Sequence, residues 1–206
     1  DVFPAQPVLE TYVSPGGRLS DLAFGQGRLH ITGMRGLWIM EGETTLSGEA
    51  WVHGPGYTGM TGVAKQGRKL YISRLGLEGF VVLDVTNPKV PVELGRSVTL
   101  GLGWDVAVRG DTAYVAHGMM GVGVYDVGDP QQPGWAGQLW PGGRIVTVAV
   151  SGYHGLLAAG RANGTVYLYD LDDPGDTAQR IDTIVASQRL AKVVFREGRL
   201  WVLHKG

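Results

Sequence analysis

The sequence contains no cysteine. Disulfide frameworks, thiolate nucleophiles and Cys-ligated zinc or iron–sulfur sites are therefore excluded, while the compartment stays open. It has no run of about 18 apolar residues, the length a membrane-spanning helix needs. It has no excess of one charge: 18 Lys and Arg against 19 Asp and Glu give a net charge of −1. Nothing overall points to nucleic acid or to an acidic membrane. The chain starts at Asp1 without Met and shows no signal peptide, so it reads as a mature product or a fragment. Gly-x-Ser-x-Gly elbows, Walker loops and dinucleotide fingerprints are all missing. Glycine, by contrast, is abundant: 34 of 206 residues, where about 7% is usual. With no collagen period, that excess fits many tight turns between short strands. A hydrophobic content of 44% and a mean hydropathy of +0.02 suit a soluble globular chain that buries one core.

The stretch Trp104 to Pro133 shows the organisation. Asp105–Val108, Ala113–Ala116 and Val122–Asp126 read as three strands, separated by turns at Arg109-Gly110-Asp111 and His117–Gly121. Val127-Gly128-Asp129-Pro130 closes the third, because proline cannot donate to a ladder. Trp135–Trp140 follows as a fourth. The same phrase recurs. First-strand anchors fall at Leu22, Val63, Val106, Val148 and Val193, with separations of 41, 43, 42 and 45 residues. A period of about 40–45 residues with four strands per unit marks a β-propeller blade.

The fold expected is therefore all-β: a β-propeller of four-stranded antiparallel blades forming one domain over residues 1–206. Four complete repeats run about 18–58, 59–101, 102–143 and 144–188. Residues 1–17 and 189–206 supply partial blades, a split blade shared by the termini. Val8–Val13 reads as a fourth strand, and the last segment as a first and second. A third strand is missing between them, which favours a part of a longer propeller.

The phrases Val81-Val82-Leu83-Asp84-Val85 and Val124-Tyr125-Asp126-Val127, followed by Asn87-Pro88 or Asp129-Pro130, resemble the LVIVD repeat. Asp105–Val108 with Ala113–Ala116 is similar to its first two strands. The likeness is sharpest over 59–133 and weak over 36–50, where Glu41 replaces the Asp. It implies a bacterial β-propeller in an exported or cell-surface protein, extracellular or alternatively periplasmic. It implies no reaction.

Candidate chemistry is sparse. Asp84, Asp126 and Asp170 end third strands, where a carboxylate accepts from the amides of the following turn; a carboxylate ring is the weaker reading. Asp170–Asp176 lacks the spacing and closing Glu of a calcium loop and reads as a solvated acidic turn. Arg109-Gly110-Asp111 spells an integrin tripeptide but occupies a hairpin turn. His30, His53, His117, His154 and His204 form no metalloprotease pair. No catalytic residue, metal ligand or cofactor is assigned.

One constellation follows from topology. The loops before strand one and between strands two and three share a face. They carry Arg18, Arg144 and Arg189, each four residues before an anchor, and Arg35, Arg74, Arg161, His117, His204 and Lys205. Glu41, Glu43, Asp129, Asp172, Asp173 and Asp176 fall on the other face. A basic mouth suits an anionic partner: a carboxylated glycan, phosphate or an acidic protein surface. Against this, the arginines simply solubilise loops or pair with Asp21, Glu78 and Asp105. The ligand-binding set expected is Arg18, Arg35, Arg74, His117, Arg144, Arg161, Arg189 and His204. The function expected is a non-catalytic binding or scaffolding module for a protein partner, a surface assembly or an anionic glycan, with no nucleic acid and no membrane span. The alternative is a lactonase- or quinoprotein-like enzyme acting at the channel, through the first-strand starts Asp21, Gly62, Asp105, Thr147 and Lys192.

Overall fold

A computed structural model of the chain describes residues 18–41, 47–52, 59–76, 79–99, 101–172, 179–186 and 188–205. The readings made above for residues 1–17 and for Glu43, His53, Glu78, Asp173 and Asp176 lie outside the described residues, as does the side chain of Glu41.

The described residues form strands and no helix. Blade one comprises β1 (Leu19–Gly25), β2 (Arg28–Gly33), β3 (Gly36–Glu41) and β4 (Ser47–Val52). Blade two is β5 (Met60–Gln66), β6 (Lys69–Arg74), β7 (Phe80–Asp84) and β8 (Val92–Ser97). Blade three is β9 (Asp105–Arg109), β10 (Thr112–Ala116), β11 (Val122–Asp126) and β12 (Gly134–Leu139). Blade four is β13 (Ile145–Val150), β14 (Leu156–Arg161), β15 (Thr165–Asp170) and β16 (Gln179–Val185). A fifth sheet holds β17 (Leu190–Arg196) and β18 (Arg199–His204). Each of the four complete sheets is antiparallel and paired in sequence order. The architecture is the propeller that the 41–45-residue spacing of the anchors points to.

Local chemistry sets the turns. The first hairpins close at Gln26-Gly27 and Glu197-Gly198 with both φ angles positive, 56° and 70°, 52° and 72°. That geometry matches the right-handed twist of the strands it joins. After the third strands, Asp84 Oδ1 accepts from the Thr86 amide at 2.6 Å, Asp126 Oδ1 from Gly128 at 2.9 Å and Asp170 Oδ1 from Asp172 at 2.9 Å. The recurrent aspartate is thus a turn device.

Packing explains why the second and third strands read as continuous apolar runs. Blades two, three and four are each sandwiched between neighbours, so both faces of their middle strands bury. On β6, Leu70 and Ile72 pack with Leu37 and Ile39 of blade one, whereas Tyr71 packs with Val106 and Val115 of blade three. Phe80 stacks on Tyr125 across that second boundary, centroids 5.2 Å apart. Further clusters join blade three to four (Tyr114, Val122, Ile145, Leu157) and four to five (Ala158, Val166, Leu190, Val193). The core is thus a series of slabs between blades, each fully buried Val, Leu or Ile contributing about 1.5–3 kcal/mol.

Candidate functional site

The inner strands β1, β5, β9, β13 and β17 surround the axis, and their first residues fall into two sets by register. One residue before each anchor stand Asp21, Gly62, Asp105, Thr147 and Lys192. Two residues before it stand Ser20, Thr61, Trp104, Val146 and Ala191. In four blades a register shift just before the axial residue separates the two sets, at Leu19/Asp21, Met60/Gly62, Ile145/Thr147 and Leu190/Lys192.

The axial set is a stitched ring. Asp21 Oδ2 accepts from the Val63 amide of the next blade at 3.0 Å. Asp105 Oδ2 accepts from the Val148 amide at 3.0 Å and from Thr147 Oγ1 at 2.8 Å. Thr147 Oγ1 in turn accepts from the Val193 amide at 3.1 Å. Gly62 has no side chain to offer, and the Val106 amide turns to Asp105 Oδ1 at 2.9 Å. A Cβ at Gly62 would stand 2.7 Å from Asp105 Cα, so glycine is what lets Asp105 approach. Lys192 Nζ crosses the axis and donates at 2.8 Å to both Asp21 Oδ2 and Asp105 Oδ1. Burial works to lower the Lys192 pKa, but the carboxylates of Asp105 and Asp21 outweigh it and hold the ammonium above its ordinary value. Burial, then Asp105, pushes Asp21 up, with Lys192 opposing. The residues named for the enzyme alternative therefore do converge, but these contacts commit them to one another.

Above this ring lies the mouth. A cavity of about 510 Å³ is walled by Arg18, Arg144, Arg189 and Lys205, by Trp104 and the rest of the second register set, and by apolar side chains including Met34, Leu75 and Leu190. Among the described residues no carboxylate lines it. Loops preceding strand one and loops between strands two and three meet here. The rim is pinned by backbone bonds: Met34 N to Arg18 O at 3.2 Å, Ala162 N to Arg144 O at 2.9 Å, Lys205 N to Arg189 O at 2.9 Å. Arg144 lies over the Trp104 ring, 4.4 Å from its centroid, which fixes the guanidinium by a cation–π contact. Among the described residues no carboxylate pairs with Arg18, Arg144 or Arg189; Asp21 and Asp105 bind Lys192 instead.

The expected set divides. Arg18, Arg144 and Arg189 come together around the cavity. Arg35 is exposed in the β2–β3 turn, and His204 at the end of β18; neither lines it. Arg161 is turned into its own blade, donating to the Tyr167 hydroxyl at 3.2 Å with its guanidinium against Gly143. Arg74 and His117 are interior, 7% and 3% exposed. The His117 Nε2 shares a 2.9 Å hydrogen bond with the Tyr125 hydroxyl. Burial pulls the His117 pKa down to about 4, so the ring is neutral near pH 7. Trp104 is the mouth residue that sequence reasoning passed over. Its place two before an anchor is shared by Ser20, Thr61, Val146 and Ala191, and that register was the available signal.

The acidic set on the other end includes Asp172, which pairs with Arg109 at 2.8 Å. Among the described residues no group of three His, Asp or Glu is placed to hold a metal ion.

The family model of the LVIVD repeat matches residues 67–99 and 101–139. These span β6 to β8 and β9 to β12, and the chain carries LVIVD repeats there. The comparison with curated proteins gives no match. Among solved structures, the computationally designed protein Ika8 is similar with a TM-score of 0.65 at 14% identity, over 91% of this chain and 58% of that one. A chain of the nidogen/laminin complex gives 0.70 at 12%, over 89% and 71%. Sqt1 of Saccharomyces cerevisiae gives 0.61 at 11%, over 92% and 57%. At such identities the likeness is one of fold. The chain spans less than two thirds of the length of Ika8 and of Sqt1.

Proposed function

We propose that this LVIVD-repeat propeller is a non-catalytic binding module that holds an anionic partner in its basic mouth, within an exported or cell-surface bacterial protein. The observation that carries the reading is the cavity of about 510 Å³ in whose wall the described residues place Arg18, Arg144, Arg189 and Lys205 and no carboxylate. Small-ligand sites run to roughly 300–1,000 Å³, so a sugar acid, a phosphate ester or the acidic side chain of a protein loop fits. A concave, one-signed site focuses potential toward its opening. Guanidinium groups meet carboxylate and phosphate oxygens two at a time, and Arg144 is already oriented on Trp104. The setting outside the cell rests on the repeat resemblance.

Titration calorimetry with a galacturonic acid oligosaccharide, with citrate and with inorganic phosphate tests it. At least one should bind, and more weakly as salt rises. The triple variant Arg18→Ala, Arg144→Ala, Arg189→Ala should lose about tenfold or more in affinity, since each charge-assisted bond is worth roughly 1.5–3 kcal/mol. Arg161→Ala, turned away from the cavity, should leave affinity unchanged. Equal binding by the triple variant and the parent would remove the basic-mouth reading.

A further inference from the structure

The rim of the mouth is not uniform. Neighbouring inner strands touch in the order β1, β5, β9, β13, β17. In that order the cations stand at the start of blade one (Arg18), at blade four (Arg144) and on the fifth sheet (Arg189, Lys205). Blades one and two contribute apolar side chains instead: Leu19 and Met34 from the first, Leu75 from the second. Trp104 of blade three joins the two parts, since Arg144 lies over its ring.

Backbone bonds fix the apolar part in place. Met34 N donates to Arg18 O at 3.2 Å, Gly59 N to Met34 O at 3.2 Å, and Leu75 N to Gly59 O at 2.8 Å. That chain of bonds ties the β2–β3 turn of blade one to the end of β6 in blade two. Met34 and Leu19 are nevertheless 43% and 46% exposed, although both wall a concavity. Apolar side chains held bare in a preformed hollow gain from a ligand that covers them. The polar groups nearby offer less. The Thr61 hydroxyl in the same wall is spent as a donor on Gly103 O at 2.7 Å. The ammonium of Lys192 on the axis is engaged by Asp21 and Asp105, which leaves a ligand's charge to the rim.

A ligand matched to this wall has two parts: an oxyanion for the guanidinium groups and an apolar body for the arc from Leu19 to Leu75. A free phosphate or a sugar acid supplies only the first. We propose that the mouth takes an amphiphilic anion, a carboxylate on an apolar body that lies along Met34, Leu19 and Leu75 while its head meets Arg144 and Arg189. This rests on the basic-mouth reading and chooses among the ligands that reading admits. The guanidinium groups fix the head and the covered apolar area supplies the discrimination.

Titration calorimetry of the 206-residue chain with acetate, butanoate and octanoate tests it, with 1-octanol as the tail lacking a charge. Affinity should rise along the series, by tenfold or more from acetate to octanoate, because each added methylene leaves water. The alcohol should bind at least tenfold more weakly than octanoate. Met34 sits in an exposed turn, so Met34→Gln should keep the urea midpoint of the parent; it should weaken octanoate several-fold and leave acetate unchanged. Octanoate no tighter than acetate overturns the proposal, as does octanoate binding that survives Met34→Gln or the triple arginine variant. Tighter binding by a galacturonic acid oligosaccharide or a polyglutamate peptide than by octanoate overturns it too, and assigns the mouth to a polyanion. Citrate and phosphate keep the two readings separable. If neither they nor octanoate bind, both readings fall; if citrate binds and octanoate is no tighter than acetate, this one falls alone.

Discussion

Lys192 shows how much of this molecule rests on single side chains at the axis. Its ammonium, 29% exposed as a side chain, offsets two carboxylates that strands from different blades bring together. Lys192→Met should cost about 3 kcal/mol, because it leaves Asp21 and Asp105 facing each other uncompensated. Adding Asp21→Asn should recover part of that in urea unfolding curves; no recovery would mean that the lysine acts by packing alone. His30 and His117 set the acid limit. Burial holds both near pKa 4, with Lys65 adding to the effect at His30. In the unfolded chain each titrates near 6.5. Between those values the unfolded chain binds more protons, so stability falls as pH drops from about 6.5 toward 4, by up to about 3 kcal/mol per ring. Thermal melts across that window should decline for the parent. The decline should be shallower for His30→Phe with His117→Gln; equal slopes would exclude the histidines.

Strands and turns carry the next layer. The Asp84, Asp126 and Asp170 turns recur because a carboxylate two residues before an amide satisfies it locally, without help from the rest of the fold. Asp126→Ala should therefore cost about 1 kcal/mol, as one lost hydrogen bond does, and should not alter the fold by circular dichroism. Gly62 is a contrasting case. Its φ is unremarkable, and its need for glycine comes from Asp105 on the neighbouring strand. Gly62→Ala should destabilise by about 1–3 kcal/mol through overpacking at the axis. The first kind of constraint is legible in the sequence, since turn and residue are contiguous. The second is not, since Asp105, which comes nearest to Gly62, lies a blade away.

At the scale of the whole molecule, position in the ring decides the value of a repeated residue. Val193 and Leu22 hold the same place in the repeat, yet one is sealed between blades and the other is 62% exposed. Val193→Ala should cost about 1–3 kcal/mol, and Leu22→Ala no more than about 0.5 kcal/mol, in parallel denaturation curves. Similar costs would show that Leu22 is buried in solution. The mouth follows the same logic. Arg18, Arg144 and Arg189 lie far apart in the chain and share a rim because their loops fall on one end of the ring.

The sequence by itself determined the strands, their antiparallel order, the turn chemistry and the end of the ring to which each loop belongs. These are consequences of short-range spacing and of a period of about 40–45 residues. It also marked Arg18, Arg144 and Arg189, because a residue at a fixed offset from an anchor inherits a fixed place. Only the tertiary structure decided that Arg161 turns into its own blade, that His117 and Arg74 are interior, and that Asp21, Asp105 and Lys192 pair across the axis. Those outcomes depend on side-chain direction and on contacts between blades, and neither is written in a repeat whose units look alike.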